Sequence, residues 1–397
     1  MDPLVHPPDP RLKWQIATAT LSRLFLNTAR RFAYPFAPTL SQGLGVPLFA
    51  ATSLIAANQI TGLLGLFFGP FADRIGYRLM MLIGLGALSF GMLFGGIFST
   101  YGIVLVAFFL AGIGKSIFDP AIQAYVAMRV PFARRGWAIG IIELSWAGSS
   151  LLGIPLIGLL IEHIHWRAPF FFLGGLGIFG IISLSLLIPA NPRKNHYPGK
   201  RISLVRAWVS LLKERRSLGA LGYSFFVSIA YDNFFVAYGL WFENAFHLGI
   251  TAIGLATIII GVAEFLGEGL TATLADRMGL NRSIYFGMAV AGLAFLALPL
   301  TGNTLIFGLG VIFFLFLFME FAIVCSISLF TELLPDARAT MMSGFFASAS
   351  LGRVLGALIG VPVWEAWGII GTALVSASIL SIGLFVLIWG MIGWKPK

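Results

Sequence analysis

The residues best suited to chemistry in this sequence are charged side chains that stand inside long apolar runs. A charged group at the centre of a membrane-spanning helix costs about 2.5–3.5 kcal/mol, so it must be paired, hydrated or functional. Eleven such residues are present: Arg23, Arg30, Arg31, Lys115, Asp119, Glu143, Asp232, Glu264, Glu268, Glu320 and Arg353. They could bind a charged solute or carry a proton through an apolar environment.

Two of the acids are the first candidates for carrying a proton. Glu143 lies about two helical turns inside its apolar run, and Asp232 lies midway along another run beside Asn233. An apolar, intermittently hydrated site disfavours a charged carboxylate and so favours proton binding near neutral pH. We predict that Asp232 or Glu143 is the protonation site. The alternative is a structural ion pair of either acid with Lys115 or Arg353.

Helical spacing constrains four of the other charged residues. Lys115 and Asp119 are four residues apart, on one helix face, where their side chains can pair. Arg30 and Arg31 are adjacent and point about 100° apart around a helix. One of the two arginines is therefore expected to face a cavity, while the other pairs or extends towards the membrane surface.

Three further acids stand in the second half of the sequence. Glu264 and Glu268 are one helical turn apart and would repel each other if both were ionised and unpaired. One of them is expected to be protonated or paired with an arginine. Glu320 stands in a separate apolar run.

These side chains must be positioned by helices that cross a membrane. Apolar residues make up 58% of the 397 residues, only 11% are charged, and the mean hydropathy is +0.92. Runs of about 20 apolar residues, enough to cross a bilayer as a helix, follow one another along the chain. These runs exceed the roughly ten-residue strands of a membrane barrel. We predict twelve helical spans near 14–40, 47–70, 79–99, 102–128, 137–162, 168–190, 217–243, 250–275, 283–300, 304–332, 339–364 and 367–392.

The positive charges predict the orientation of these spans. With twelve spans, 20 of the 26 Lys and Arg residues fall on one side of the membrane, whereas the other side holds only Arg167. Positive residues concentrate on the cytoplasmic side of membrane proteins. We therefore predict a multi-pass protein of the cell membrane with both termini in the cytoplasm.

The sequence also contains an internal repeat. The segment GPFADRIG at 69–76 returns as ATLADRMG at 272–279, which is 203 residues later. A repeat of this length predicts two similar halves of six helices each. The charged stretch between the halves is either an amphipathic helix on the membrane surface or an ordinary linker. We divide the chain into a first bundle at 1–190, a cytoplasmic linker at 191–216 and a second bundle at 217–397.

The repeated segment resembles the loop signature of the major facilitator superfamily, a family of secondary transporters. The resemblance rests on Gly69, Asp73, Arg74, Gly76 and Arg78, and in the second half on Asp276, Arg277 and Gly279. It implies an all-α membrane fold of twelve helices in two parallel six-helix bundles, with the substrate site between them. By the same resemblance, this loop latches the halves together on the cytoplasmic side when the cavity faces outward. The alternative is that the arginines only fix the topology.

The resemblance also indicates which charged residues lie near the transport path. In this family the first, fourth, seventh and tenth spans line the cavity. These spans place Arg30, Arg31, Lys115, Asp119, Asp232 and Glu320 near the transport path. With the proton candidate Glu143 added, these residues form the candidate pathway. The fifth span is similar to a helix-packing motif of the family's antiporters through Gly148, Gly153, Pro155 and Gly158.

Other kinds of function lack their sequence motifs. There is no P-loop for nucleotide-driven pumping, no His-Glu-x-x-His helix and no repeated ion-filter segment. His163 and His165 lack nearby Cys or Asp ligands, and the single cysteine, Cys325, excludes a cysteine-based metal cluster. We predict no enzymatic activity, no metal site and no cofactor except a coupling ion, which we expect to be a proton.

Together these patterns predict a monomeric secondary transporter that works by alternating access. Its partners would be a small-molecule substrate and the lipid bilayer. Nucleic acid is not expected, because the basic residues fall in short loops. The favoured function is proton-coupled export of small amphipathic organic compounds. One alternative is uptake or exchange of an organic anion, supported by Arg30, Arg31 and Lys115, and another is a non-transporting membrane sensor with the same fold.

Overall fold

A computed structural model describes residues 11–65, 67–68, 75–130, 132–189, 211, 213–302, 304–333 and 338–393. These residues form α-helices with short connections, and they contain no strand. In chain order the helices are α1 (Leu12–Arg31), α2 (Ala37–Leu44), α3 (Leu48–Ile60), α4 (Tyr77–Phe98), α5 (Tyr101–Arg129), α6 (Phe132–Gly148), α7 (Ile154–His163), α8 (Ala168–Leu187), α9 (Arg215–Phe235), α10 (Tyr238–Phe246), α11 (Ile250–Ala256), α12 (Ile258–Met278), α13 (Leu280–Ala297), α14 (Leu305–Thr331) and α15 (Arg338–Met391). Short 3-10 turns follow α3 and α13, and a π-helical turn at Ser149–Gly153 joins α6 to α7.

The described helices confirm an all-α membrane fold. The described residues contain nine helical stretches that are long and apolar enough to cross a bilayer, and some of these stretches join two or more helices. The bent pair α2–α3 would be a tenth. The apolar stretch Met341–Met391 is 51 residues long and bends at Gly368, so by length it can cross twice. Helix α1 falls outside this number because it carries several basic residues. The twelve predicted spans fit this arrangement.

The internal repeat is visible in the backbone. Gly76 precedes α4 with φ 103° and ψ 137°, and Gly279 precedes α13 with φ 81° and ψ 142°. Both residues lie where side chains other than glycine are strained. The two glycines are 203 positions apart, so the repeated sequence forms the same turn in each half of the chain.

Glycines bring neighbouring helices close together within each half. A Cβ added at Gly84 of α4 would lie 2.6 Å from the carbonyl oxygen of Gly114 on α5. In the second half, a Cβ at Gly356 of α15 would lie 2.6 Å from the carbonyl oxygen of Ile229 on α9. Small residues at such contacts are the main route to tight helix packing inside a bilayer.

The helices alternate in direction, which gives the molecule two ends. We call the end that carries Arg78, Arg129 and Arg282 the basic end, and the other end, which carries Arg167 and Gly368, the opposite end. Residues before 190 are the first half, and residues after 210 are the second half.

The two halves meet towards the opposite end. The backbone N–H of Thr251 donates a hydrogen bond of 2.7 Å to Glu162 Oε2. The Tyr34 and Phe235 rings are in contact, with centroids 4.5 Å apart. A Cβ at Gly254 would lie only 3.3 Å from the Cα of Pro155. The turn after α1 and residues of α7, α9 and α11 therefore hold the halves together at this end.

The predicted linker at 191–216 lies largely outside the described residues. Only residue 211 and residues 213–216 of it are described, and α9 begins within it at Arg215. The predicted division into bundles at 1–190 and 217–397, and the choice between an amphipathic helix and a plain linker, both stay predictions.

Candidate functional site

The intramembrane charges of the first half form one connected network, which we call the first-half cluster. It consists of Arg23, Asn27, Lys115, Asp119 and Glu143. Arg23 Nε lies 3.0 Å from Asp119 Oδ1, and Arg23 Nη1 lies 2.9 Å from Glu143 Oε2. Lys115 Nζ lies 2.7 Å from Asp119 Oδ2 and 2.6 Å from Asn27 Oδ1. Helices α1, α5 and α6 are thereby joined by charge-assisted hydrogen bonds.

The first-half cluster gives two of the acids their partners. Lys115 and Asp119 pair along one helix face, as their spacing predicts. Glu143 pairs with Arg23, which differs from the alternative partners predicted for it, Lys115 and Arg353. The reason is that α1 runs alongside α6 and presents Arg23 to it. The Glu143 side chain is 37% exposed and that of Arg23 is 7% exposed, so Glu143 is the more exposed member of the pair.

A buried ion pair, which we call the inter-half bridge, joins Arg31 of α1 to Glu264 of α12. The Arg31 guanidinium donates to both carboxylate oxygens, at 2.8 and 3.0 Å, and the two side chains are 1% and 0% exposed. Ser150 Oγ and the Tyr231 hydroxyl also donate to this carboxylate, at 3.2 and 3.3 Å. These extra donors matter because a buried ion pair is stable only when its remaining lone pairs are satisfied.

Arg30 points away from Arg31, as their adjacency predicts. Its guanidinium donates to Gln59 Oε1 on α3, and Gln59 Nε2 in turn contacts the Tyr34 hydroxyl at 2.5 Å. Arg30 therefore stays within the first half, whereas Arg31 reaches into the second half.

Asp232 is the buried acid with the weakest compensation. Its side chain on α9 is 0% exposed, and its nearest described cation is Arg353 Nη1 of α15, 3.8 Å from Oδ1. Both carboxylate oxygens are buried and lack a partner at normal hydrogen-bond geometry, although the neighbouring Tyr34 hydroxyl interacts with the carboxylate. Burial of a charged carboxylate without hydrogen bonds is unfavourable. Asp232 thus lies where gain or loss of a proton would change the local energy strongly.

Of the six intramembrane acids, Glu268 and Glu320 are the two without an ion-pair partner among the described residues. Glu320 of α14 packs on α12, because a Cβ at Gly267 would lie 3.0 Å from the Glu320 Cβ. Glu268 follows Gly267 on the same helix and is partly exposed. One acid of the adjacent pair, Glu264, is therefore matched by an arginine, while Glu268 is not.

Trp146 of α6 lies where the two halves and their cations converge. Its ring centroid is 4.4 Å from the Arg31 guanidinium and 5.9 Å from both Lys115 Nζ and the Arg353 guanidinium. Arg353 also lies 5.1 Å from the Tyr231 ring. Aromatic faces attract cations, so this indole supports a cluster of positive charge that would otherwise repel itself.

The residues of the predicted gating motif are only partly described. Gly69, Asp73 and Arg74 lie outside the described residues, and so does the side chain of Asp276. Gly76 and Gly279 form the repeated turn, with Arg277 two residues before Gly279. Arg78 donates a 2.7 Å hydrogen bond to the carbonyl oxygen of Ser185 on α8, within its own half. Its gating role stays a prediction.

The predicted helix-packing motif lies against α1 and α11. A Cβ at Gly148 would lie 3.0 Å from Leu24 Cδ1, and a Cβ at Gly153 would lie closer still to Thr28 Oγ1. Gly158 and Pro155 face α11 of the second half, near Gly254. The motif therefore positions α6 and α7 at the interface between the halves.

The pathway predicted from the sequence does not include three residues of the charged centre. Arg23, Glu264 and Arg353 each stand inside an apolar run, which was the available signal. Two of them lie on α12 and α15, helices that the family pattern does not assign to the cavity. Their partners are distant in the sequence, so the pairing leaves no local pattern. Arg31 and Glu264, for example, are 233 positions apart.

The chain is similar in sequence to several membrane transporters. The uncharacterized MFS-type transporter YceJ of Bacillus subtilis is 27% identical over 299 residues, 73% of this chain and 74% of that protein. A multi-drug resistance efflux pump PmrA homolog of Lactococcus lactis is 23% identical over 394 residues, 94% of this chain and 92% of that protein. The chromaffin granule amine transporter of Rattus norvegicus is 29% identical over 269 residues, 66% of this chain but 48% of that longer protein.

The fold agrees with these similarities. A bacterial homolog of the human lysosomal transporter Spinster, in an inward-facing and unoccupied conformation, superposes with a TM-score of 0.73 and 15% identity. The superposition covers 98% of this chain and 100% of that one. The family model of the Major Facilitator Superfamily matches residues 19–357, nearly the whole chain. The protein therefore belongs to the Major Facilitator Superfamily of membrane transporters.

Proposed function

We propose that the protein is a proton-coupled exporter of small amphipathic organic compounds, and that organic cations are its first class of substrate. The basic end faces the cytoplasm of the cell in this proposal, in accord with the distribution of Lys and Arg. Protons returning down their gradient would drive the export.

The observation that carries the proposal is the environment of Asp232. A fully buried carboxylate with no hydrogen bond of normal geometry, beside the Tyr34 hydroxyl and with a cation 3.8 Å away, can be neutralised by a proton or by a cationic substrate. Both ligands neutralise the same charge, so they compete for it. Competition of this kind couples the movement of a proton in one direction to the movement of a cation in the other.

The charge balance at the centre supports a cationic substrate. The intramembrane charges comprise five basic and six acidic residues. Of the three cations that would support an organic anion, Arg31 and Lys115 are already bound to Glu264 and Asp119, whereas Arg30 donates to the neutral Gln59. By contrast, Glu320 has no ion-pair partner in the described part of the chain. One relative is an amine transporter by name, which fits a cationic substrate, and another is an efflux pump homolog by name, which fits export.

Aromatic residues supply the surface for the apolar part of an amphipathic substrate. Trp146, Tyr231 and Phe235 lie around the inter-half bridge, and the Tyr231 and Phe235 ring centroids are 5.1 Å apart. Aromatic faces bind both apolar groups and organic cations. Several contacts between the halves lie towards the opposite end, which is consistent with a cavity that opens at the basic end and with rocking of the halves about the centre.

The proposal is tested in proteoliposomes with an imposed pH gradient and radiolabelled lipophilic amines. We expect amine movement against the proton gradient, and we expect Asp232→Asn to reduce gradient-driven movement by about tenfold or more. Exchange of labelled for unlabelled amine should fall as well in this variant, since an amide imitates the protonated acid, which does not bind a cation. Glu365→Gln, which changes an exposed acid at the opposite end, is the matched control and should behave as the parent protein.

Three outcomes would contradict the proposal. Full gradient-driven transport by the Asp232→Asn, Glu143→Gln double variant would exclude both predicted protonation sites. Movement of organic anions alone, without proton flux, would favour the exchanger. Absence of any flux with tight binding of a small molecule would favour the sensor.

A further inference from the structure

Two arginines of α1 occupy equivalent positions one helical turn apart along α6. Arg31 Nη1 donates to the Trp146 carbonyl oxygen at 3.3 Å and lies 3.4 Å from Ser149 Oγ. Arg23 Nη1 donates to the Ile142 carbonyl oxygen at 3.0 Å and lies 3.5 Å from Ser145 Oγ. The acceptors differ by four positions in each case. Helix α6 therefore offers the same backbone-and-hydroxyl site twice, and each site holds an arginine.

Helix α12 offers acids with the same spacing. It runs opposite to α6, and its acids Glu264 and Glu268 are four residues apart, which is one turn or about 6 Å. Moving towards the basic end, the chain goes from Trp146 to Ile142 on α6 and from Glu264 to Glu268 on α12. Glu268 is thus the acid in register with the second arginine site.

Only the first of the two sites is completed across the interface. Arg31 is bound by Glu264 of the second half, whereas Arg23 is bound by Asp119 and Glu143 of its own half. Glu268 has no ion-pair partner in the described part of the chain, and its electrostatic neighbours are Glu143, Glu264 and Arg23. The halves are joined towards the opposite end, so the second site is left uncompleted on the side of the basic end.

We propose that Glu268 is a gating residue that binds Arg23 when the halves close at the basic end, and that it then replaces Glu143. The exchange would give the closed basic end an inter-half ion pair equivalent to the Arg31–Glu264 bridge. Glu143, the more exposed partner of Arg23, is the one released. The inference rests on the alternating-access part of the proposed function, and it is independent of substrate and coupling ion.

The test measures the distance between the halves at the basic end by pulsed electron spin resonance. Spin labels are placed at Met128→Cys on α5 and Arg282→Cys on α13, both exposed, in a Cys325→Ser background. We expect two distance populations in the parent protein. Glu268→Gln should lower the short-distance population relative to the long one by about fivefold or more, and Glu268→Asp should restore part of it.

The matched variant Glu143→Gln should act in the opposite direction. It removes the competitor for Arg23, so the short-distance population should rise. If Glu268→Gln and Glu143→Gln shifted the populations in the same direction, or if neither shifted them, the inference would be wrong. A single distance in the parent protein and both variants would also overturn it. Because no substrate or pH gradient is present, a failure of the proposed proton-coupled export leaves this readout intact.

Discussion

At the scale of single residues, eleven charged side chains stand inside the apolar helices of this protein, where an unpaired charge is unfavourable. Most of that charge is satisfied by specific partners, of which the Arg31–Glu264 bridge is the most deeply buried. The stability of the bridge depends on both members. Removing one member leaves a charge in an apolar environment, which costs more than removing both.

This dependence gives a prediction for the bridge. Glu264→Gln should lower the free energy of unfolding by about 3–5 kcal/mol, because Arg31 is left without its carboxylate. The double variant Arg31→Gln, Glu264→Gln should recover part of this loss. Thermal unfolding of the purified protein in detergent checks the order of the three proteins. Equal destabilisation by the single and the double variant would contradict the prediction.

At the scale of the elements, helix packing depends on where a glycine faces a neighbouring backbone. In α4, Gly84 lies against the Gly114 carbonyl oxygen, whereas Gly86, two residues later, has no atom within 4 Å of where its Cβ would stand. The two positions share a helix and a residue type, and differ only in their surroundings.

Gly84→Ala should therefore destabilise the protein, because neither backbone can move aside without separating α4 from α5. Gly86→Ala should be neutral or stabilising by up to about 1 kcal/mol, since alanine is the better helix former. Thermal unfolding of the two variants side by side checks this contrast. A similar loss of stability in both would indicate that glycine flexibility, and not the α4–α5 contact, matters at Gly84.

The sequence was sufficient to predict the elements and the local pairs. The apolar runs predict the helices, the 203-residue shift predicts the matched turns at Gly76 and Gly279, and a four-residue spacing predicts the Lys115–Asp119 pair. It was not sufficient for partners on distant helices. The pairing of Arg23 with Glu143 depends on how α1 lies against α6, which no periodicity of either helix determines.

At the scale of the whole molecule, several contacts between the two halves lie between the centre and the opposite end. The inter-half bridge, the Thr251–Glu162 hydrogen bond and the Tyr34–Phe235 contact all lie there. A transporter that rocks about its centre must break such contacts to open at that end. Neutralisation of the Arg31–Glu264 bridge would therefore favour opening at that end, since it removes an attraction that holds the halves together.

The most direct test of the central claim is the release of protons when substrate binds. Purified protein in weakly buffered detergent solution is mixed with a lipophilic amine, and the change in pH is recorded with a dye. Competition at Asp232 predicts about one proton released per amine bound, and no release from Asp232→Asn. Amine binding without proton release from the parent protein, or unchanged release from Asp232→Asn, would contradict proton coupling through this residue.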